Sequence, residues 1–251
     1  MVILSRHRSI LRGFVCAGAL TLGASALAPG AAVAATPYSV LQINICNSGH
    51  AADCYTGQAT TRAGDLINAR KPSVVTMNEM CESDLGPIRQ RTGYHSVFTQ
   101  SGSQTCTNGS AFGNALLFPV ATSPGTPYRL TYNSQNDHTE LRTLTCVPAS
   151  GVTACVTHLS TGSAKDDQAA KMKDIVGGYA RQGPTVLGGD WNMTYSGNPN
   201  AQDYVPAEMF RKGDGSVQHI MASSAHFGFT STRVMKLDWT DHPGLQVYLT
   251  R

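Results

Sequence analysis

The chain has 251 residues with 19 basic and 16 acidic side chains, and three of the basic residues lie among the first 34. The remaining 217 residues carry 16 charges of each sign, which argues against tight, non-specific electrostatic binding of nucleic acid. A local basic patch is compatible with this balance. A chain of this length fits one domain with a sizeable core and disfavours two.

Residues 1–34 have the features of a secretory signal peptide. Three arginines precede a largely apolar stretch at 13–27 that is short for a bilayer span, and residues 32–34 read Ala-Val-Ala, the form of a cleavage site. We therefore predict export, removal of 1–34 and a single domain at 35–251. A secreted, extracellular protein with no stable membrane association follows.

Six cysteines remain after the predicted signal peptide, an even number in an oxidising compartment. They predict three disulfides rather than a zinc site, because no Cys-x-x-Cys or Cys/His cluster is present. Among the possible pairings, proximity in sequence favours one disulfide across a hairpin and one that closes a short loop. The third pair is left by elimination. The predicted pairs are Cys146 with Cys155, Cys46 with Cys54, and Cys81 with Cys106.

The mature chain shows many strand-like patterns and few helical ones. Residues 38–46 alternate between apolar and polar, with Gln42 and Asn44 on the polar face, and the longest helical pattern covers 165–181. The other predicted strands are 73–78, 94–99, 111–118, 140–147, 152–157, 185–189, 216–222, 225–234 and 244–250, and the other helices are 58–69 and 82–91. Residues 100–110 and most of 198–211 are predicted as loop. Without strict βαβ alternation, these elements predict two sheets packed as a sandwich with helices outside.

Polar residues recur at the ends of the predicted strands. They are Asn44, Asn78-Glu79, Thr157-His158, Asp190-Trp191-Asn192 and Asp241-His242-Pro243. Each alone is compatible with a turn or a solvated surface. Together they supply carboxylate oxygens for one or two Mg²⁺ ions, two imidazoles for proton transfer or charge stabilisation, and amides to orient phosphate oxygens.

These motifs, in this order, resemble those of the endonuclease/exonuclease/phosphatase superfamily, which has the deoxyribonuclease I-like fold. Asn78-Glu79 stands where that family has Gln-Glu or Asn-Glu, and Gly189-Asp190-Trp191-Asn192 is similar to its Gly-Asp-Phe-Asn. Thr240-Asp241-His242-Pro243 is similar to its terminal Ser-Asp-His, and residues 113–117 to its central strand. The resemblance runs from Ser39 to the C-terminus. It implies an α/β (α+β) fold, a four-layered α/β/β/α sandwich of two mainly antiparallel sheets.

The resemblance also implies a metal site and substrate contacts. By position, Glu79 would hold Mg²⁺ with help from Asn44 and Asp241, and Mn²⁺ or Ca²⁺ are alternative ions. The implied substrate-binding residues are Arg142, Asn114 and Asn78. Arg142 has an equally weighted alternative, which is an ion pair with a carboxylate.

Four residues receive catalytic roles from the resemblance. His242 would activate or orient the attacking water, and Asp190 would share the role of base. Asn192 would hold a phosphate oxygen, and His158 would stabilise charge on the phosphoryl oxygens or assist the leaving group. This division of labour suits phosphoryl transfer, in which positioning and electrostatics supply most of the rate.

One position departs from the family pattern. Gln218 stands where relatives usually carry an aspartate that orients the terminal histidine. A neutral amide accepts a hydrogen bond from His242 but does not stabilise imidazolium by charge, so we expect a lower pKa for His242. Asp238 is an alternative partner for that histidine.

The function implied by the resemblance is that of a secreted, divalent-metal-dependent phosphodiesterase acting on nucleic acid, most simply an extracellular nuclease that degrades DNA. We expect a monomer. The alternatives are a phosphomonoesterase, or a small-molecule or lipid phosphodiesterase, using the same site. A non-catalytic binding module on a degenerate scaffold is a third possibility, and Gln218 is its only support.

Overall fold

Twelve strands and three α-helices form within residues 35–51 and 57–251, the part of the chain that the computed structural model describes. In chain order they are β1 (Pro37–Asn44), α1 (Ala59–Arg70), β2 (Val74–Cys81), α2 (Leu85–Thr92), β3 (His95–Thr105), β4 (Ala111–Phe118), β5 (Tyr128–Thr131), β6 (Thr143–Ala149), β7 (Val152–His158), α3 (Lys165–Gln182), β8 (Thr185–Asp190), β9 (Met209–Gly213), β10 (Gln218–Ser223), β11 (Gly228–Met235) and β12 (Gly244–Thr250). Short 3-10 helices cover Glu82–Asp84 and Ala201–Tyr204.

The strands form two six-stranded sheets, ordered β11-β12-β1-β2-β4-β3 and β5-β6-β7-β8-β10-β9. Each sheet contains one parallel pair, β1 with β2 and β7 with β8, and the other neighbours are antiparallel. The register places Asn44 beside Asn78 and His158 beside Asp190. Because parallel neighbours end at the same edge, each pair brings its terminal polar residues together.

Apolar side chains fill three layers of this structure. Val40 and Leu116 from the first sheet meet Val156 and Val186 from the second in the core between the sheets. Helices α1 and α2 cover the outer face of the first sheet, and α3 covers that of the second, where Met172 is fully buried. The predicted four-layered α/β/β/α sandwich is confirmed.

The strands that the sequence pattern missed all lie at sheet edges. Strand β3 continues through Thr105, so the prediction of a loop from residue 100 is wrong there, and β5 and β9 were not predicted. An edge strand leaves one side of its backbone unpaired and exposes more of its surface, so polar side chains are tolerated on both faces. Strand β3 shows this directly, since none of its residues from 102 to 105 is buried.

Two of the predicted disulfides are confirmed. Cys146 pairs with Cys155 across the β6–β7 hairpin, and Cys81 pairs with Cys106. Cys54 of the third predicted pair and the predicted signal peptide at 1–34 lie outside the described residues. None of the helices within 35–51 and 57–251 combines the length and hydropathy of a membrane span.

Candidate active site

The two parallel strand pairs meet across the sandwich at one end. The backbone N–H of Asp190, at the end of β8, donates to Oδ1 of Asn78 in β2 at 2.9 Å. This bond joins the second sheet to the first, and it brings the polar ends of β1, β2, β7 and β8 into one cluster. The side chains that the sequence indicated as functional therefore lie around one point.

Asn44 connects the two central carboxylates. Its Nδ2 donates to Oε1 of Glu79 at 2.8 Å and to Oδ2 of Asp190 at 3.1 Å. Its Oδ1 accepts the backbone N–H of Cys46 at 3.0 Å, which fixes the orientation of the amide. Asn44 thus presents a donor to the carboxylates and holds them in place.

Backbone irregularities aim two of the side chains. Glu79 and Asn192 are non-glycine residues in the left-handed region, with φ of 55° and 49°. The β2–β4 register shifts between Met77 and Met80, so Glu79 lies at a bulge, a feature that re-aims side chains beside active sites. Each left-handed residue costs about 1–3 kcal/mol and persists only where its surroundings hold it.

Asp190 is the most heavily hydrogen-bonded carboxylate of the cluster and is 1% exposed. Its Oδ2 accepts Nε2 of Gln218 at 2.6 Å in addition to Asn44, and its Oδ1 accepts the backbone N–H of Asn192 at 3.0 Å. Nε2 of His242 lies 3.5 Å from Oδ2. These contacts fix both oxygens of Asp190 against the histidine.

Gln218 supports Asp190, so the expectation that it stands behind His242 is wrong. Strand β10 pairs Gln218 with Asp190, and the Oε1 of Gln218 is occupied by Nε2 of Gln42 at 2.9 Å. The Oε1 of Gln42 in turn accepts the hydroxyl of Thr76. Both ends of the Gln218 amide are thereby engaged away from His242.

Gln42 and Thr76 are buried supporting residues that the sequence reasoning did not select. Gln42 lies two residues before Asn44 in β1, so the two share a face of the strand. The sequence did offer one indication for Gln42, its position on the same strand face as the predicted site residue Asn44. Using this indication requires knowing that the polar face of β1 is turned toward the interior.

Asn78 and Asn114 lie beneath the cluster and do not face it, which corrects their assignment as substrate contacts. Both are buried, at 0% and 2% exposed. Oδ1 of Asn78 accepts from Asp190 and from Gln42, while its Nδ2 donates to Oδ1 of Asn114 at 2.8 Å and to the carbonyl of Thr157 at 3.0 Å. The Asn78 amide therefore cross-links strands and has no free partner for a substrate.

Arg142 sets the tautomer of His158. Its guanidinium contacts Nδ1 of His158, and since a guanidinium only donates, Nδ1 accepts and Nε2 carries the proton. Burial, followed by the charge of Arg142, lowers the pKa of His158 well below its usual value. Arg142 also pairs with Oε1 of Glu140 at 3.0 Å, as the carboxylate alternative for this residue predicted.

His158 and Asn192 present two donors to the same place. Nδ2 of Asn192 donates to the carbonyl of Leu159 at 2.8 Å, which fixes its amide, and lies 3.2 Å from Nε2 of His158. Nε2 is also 3.7 Å from Oε1 of Glu79. Two donors this close to each other favour an anionic oxygen beside them that accepts from both.

The last two site residues lie in the loop before β12. The hydroxyl of Thr240 donates to the backbone carbonyl of Asn44 at 2.9 Å, and this bond anchors the loop to β1. Oδ1 of Asp241 is 3.7 Å from Nε2 of His242, and the Asp241 side chain is 51% exposed. Asp241 therefore offers a solvent-accessible carboxylate beside buried Asp190 and half-buried Glu79.

The carboxylates of the cluster are oxygen donors of the kind that hard divalent cations bind. Burial raises the pKa of Glu79 to about 7, and the charges of Asp190 and Glu140 raise it further while the Asn44 hydrogen bond opposes them. No group of three or more His, Cys, Asp or Glu side chains in the described part of the chain is arranged so that it could hold a metal ion by itself. Mg²⁺ usually keeps several waters and uses one or two carboxylates, which Glu79 and Asp241 would provide.

A buried histidine anchors the loop that carries Asn192. Nε2 of His219 donates to the carbonyl of Met193 at 2.8 Å, and its Nδ1 accepts from the guanidinium of Arg211 at 2.8 Å. The ring also packs on Trp191, with centroids 4.8 Å apart. Burial, with a further contribution from Arg211, lowers the pKa of His219 to about 4.

The lowered pKa of His219 predicts that the folded protein loses stability in acid. An unfolded histidine titrates near 6.5, so between pH 6.5 and 4 the unfolded chain binds a proton that native His219 does not. We expect the free energy of unfolding to fall by about 2.5 kcal/mol between pH 7 and 4.5 from this residue. Denaturant unfolding at both pH values measures it. His219→Gln should show a smaller fall, and an equal fall in both proteins would contradict the assignment.

Comparison with known proteins places the chain in a family. Residues 42–242 match the model of the Endonuclease/Exonuclease/phosphatase family, and the chain belongs to this family. Its members are hydrolases that act on phosphoester bonds and generally use divalent metals. A search among curated proteins finds no match.

Solved structures share the fold at low sequence identity. An endonuclease/exonuclease/phosphatase from Beutenbergia cavernae is 21% identical, with a TM-score of 0.68 over 85% of this chain and 71% of that one. The human Nocturnin catalytic domain with bound sulfate anion is 16% identical, with a TM-score of 0.63 over 85% and 93%. D. rerio TDP2 complexed with single strand DNA product is 12% identical, with a TM-score of 0.65 over 85% and 99%.

Proposed function

We propose that this chain is a secreted, divalent-metal-dependent phosphodiesterase that hydrolyses nucleic acid, with DNA as its first substrate. Its export would use the signal peptide at 1–34, and its catalytic domain would be 35–251. The observation that carries the proposal is the pair of donors, His158 Nε2 and Asn192 Nδ2, that face each other 3.2 Å apart beside three carboxylates. Such a site suits a phosphate that is bound by donors on one side and by a metal on the other.

Glu79 and Asp241 would hold the metal, Mg²⁺ or alternatively Mn²⁺ or Ca²⁺, and Asn44 would hold the Glu79 carboxylate in position. The bound ion would supply Lewis-acid stabilisation of a phosphate oxygen. The negative charge collected around Glu79 supports this assignment, because the charges of Asp190 and Glu140 raise its pKa. The pKa of His158, 3.7 Å away, is strongly lowered, so this histidine adds no positive charge.

His242 would take the proton of the attacking water at Nε2. Both oxygens of Asp190 already accept amide N–H groups, so Asp190 would share the role of base by stabilising the imidazolium that forms 3.5 Å away. His158 and Asn192 would donate to the phosphoryl oxygens, on which negative charge builds in the transition state. His158 acts here as a neutral donor, since Arg142 occupies its Nδ1.

The choice of nucleic acid is supported by one structural neighbour. D. rerio TDP2 was solved with a single strand DNA product, and the sulfate in human Nocturnin is a phosphate-like anion. Arg142, which is paired with Glu140, and Arg211 bring guanidinium groups close to the site in a mature chain whose net charge is near zero.

Metal removal provides the first test. Purified mature protein would be incubated with plasmid, linear duplex, single-stranded DNA, RNA, a phosphomonoester and sphingomyelin, with Mg²⁺ and with chelator. We expect chelator to abolish hydrolysis of the nucleic acids and added Mg²⁺ to restore it, because the substrate charge is otherwise unbalanced beside Glu79.

The same assay distinguishes the alternatives. If only the phosphomonoester or only sphingomyelin is hydrolysed, the protein is a phosphomonoesterase or a lipid phosphodiesterase and the nuclease assignment is wrong. Hydrolysis that persists in chelator contradicts the metal dependence. No turnover of any substrate favours a binding module.

A further inference from the structure

Tyr195 forms an exposed aromatic surface beside the candidate active site. It follows Asn192 by three residues, so the two Cα atoms are within about 11 Å of each other. The Tyr195 side chain is one of the few large exposed hydrophobic groups, at 57% exposed. The guanidinium of Arg211 stacks on its ring, 5.0 Å from the centroid.

This surface is held rigidly by its neighbours. The Arg211 side chain is anchored at two further points, to Nδ1 of His219 at 2.8 Å and to Oε1 of Gln202 at 3.3 Å. His219 in turn binds the carbonyl of Met193, two residues before Tyr195. Arg211 takes part in none of the ion pairs formed by residues 35–51 and 57–251, and Asp214 is the carboxylate whose charge acts on it.

We propose that Tyr195, backed by Arg211, is a stacking site for an unpaired base of a nucleic acid strand whose phosphate occupies the active site. A free planar ring with a cation behind it suits a nucleobase and its adjoining phosphate. A base inside a duplex is already stacked and presents no open face, so the site selects single-stranded or frayed nucleic acid. This inference rests on the proposed function and names its substrate class.

The chain contains a matched control. Phe229 is also exposed, at 45%, and has the ammonium group of Lys212 3.8 Å from its ring centroid. It pairs with Leu249, which pairs with Tyr38 at the start of β1. Tyr38 precedes Asn44 by six residues of strand, so Phe229 lies about 20 Å along the sheet from the level of the site.

The first test is binding without turnover. Fluorescence anisotropy uses labelled oligo-dT, oligo-rU and a duplex, all with Mg²⁺ and with every protein carrying His242→Ala to prevent turnover. It compares the protein with no other change, taken as wild type, with Tyr195→Ala, Tyr195→Trp and Phe229→Ala. We expect Tyr195→Ala to weaken single-strand binding about 5- to 100-fold, Tyr195→Trp to retain it, and Phe229→Ala to leave it unchanged. Equal binding by wild type and Tyr195→Ala, equal losses on duplex and single strand, or an equal loss in Phe229→Ala would overturn the proposal.

The second test uses oligonucleotides with one abasic residue at each position in turn. If Tyr195 stacks a base, one abasic position should weaken binding to wild type and have no further effect on Tyr195→Ala. Parallel losses in both proteins would overturn the proposal. Binding that depends on Tyr195 in a chain that hydrolyses nothing would reject the proposed activity and keep the stacking site, whereas hydrolysis without such dependence would reject the stacking site alone.

Discussion

Replacing Asp190 by asparagine is expected to lower kcat about 10²- to 10⁴-fold, the usual contribution of a positioned acid–base group. Asp190 accepts N–H groups at both oxygens, from Gln218 and Asn44 on one and from the backbone of Asn192 on the other. Asparagine would turn an NH₂ group toward one of these donors, and it would remove the negative charge 3.5 Å from Nε2 of His242.

A double variant distinguishes catalysis from general disruption. Asp190 and His242 are proposed to act as a unit, so Asp190→Asn combined with His242→Ala should be little slower than either single variant. Asp203→Asn, at an exposed aspartate of the Ala201–Tyr204 helix, is the control and should retain full activity. Multiplied losses in the double variant, or full activity of Asp190→Asn, would contradict the assignment. Thermal unfolding monitors the fold of each protein.

Replacing Gln218 by glutamate is expected to move the acid limb of the pH–rate profile upward by about one to three units. The substitution keeps the size of the side chain but places a carboxylate about 2.6 Å from Oδ2 of Asp190. Two carboxylates at this distance do not both ionise, so the pair retains a proton and its upper pKa rises. Activity that needs charged Asp190 is then lost below the raised pKa and recovers as the pH increases.

Gln218→Met is the matched control, because it removes the hydrogen bonds without adding charge. It leaves Asp190 and the Gln42 amide with one partner fewer each, so it should lower stability by about 1–3 kcal/mol and move the acid limb upward by less than Gln218→Glu does. The measurement is kcat/KM for single-stranded DNA across pH 5–9 for the three proteins. An unmoved limb in Gln218→Glu would show that Gln218 and Asp190 are not coupled in this way.

The prediction of strands and helices succeeded where burial imposes a pattern on the chain. Strand β4 was placed at Ala111–Phe118 and β12 at Gly244–Thr250 because both are covered on their faces and paired on both sides. Strands β5 and β9 were missed, and β3 was ended early, because an edge strand is not buried and paired on both sides and therefore need not carry a regular apolar pattern. The α3 pattern was predicted to within one residue, since its buried face repeats at helical spacing.

Sequence alone placed Glu79, Asp190 and Asn192 near the C-terminal ends of strands and His242 in the loop before the last strand. The order of these motifs identified the family and its sandwich. Alternation and strand ends are local properties, set by which face of a strand is buried. Only the tertiary structure decided what each side chain contacts, because those partners come from strands distant in sequence, in the same sheet or in the opposite one. It turned Gln218 toward Asp190 and placed Asn78 beneath the site, since β8 pairs with β10 and packs against β2. Long-range packing, which no short motif encodes, determines whether a polar side chain supports its neighbours or faces the substrate.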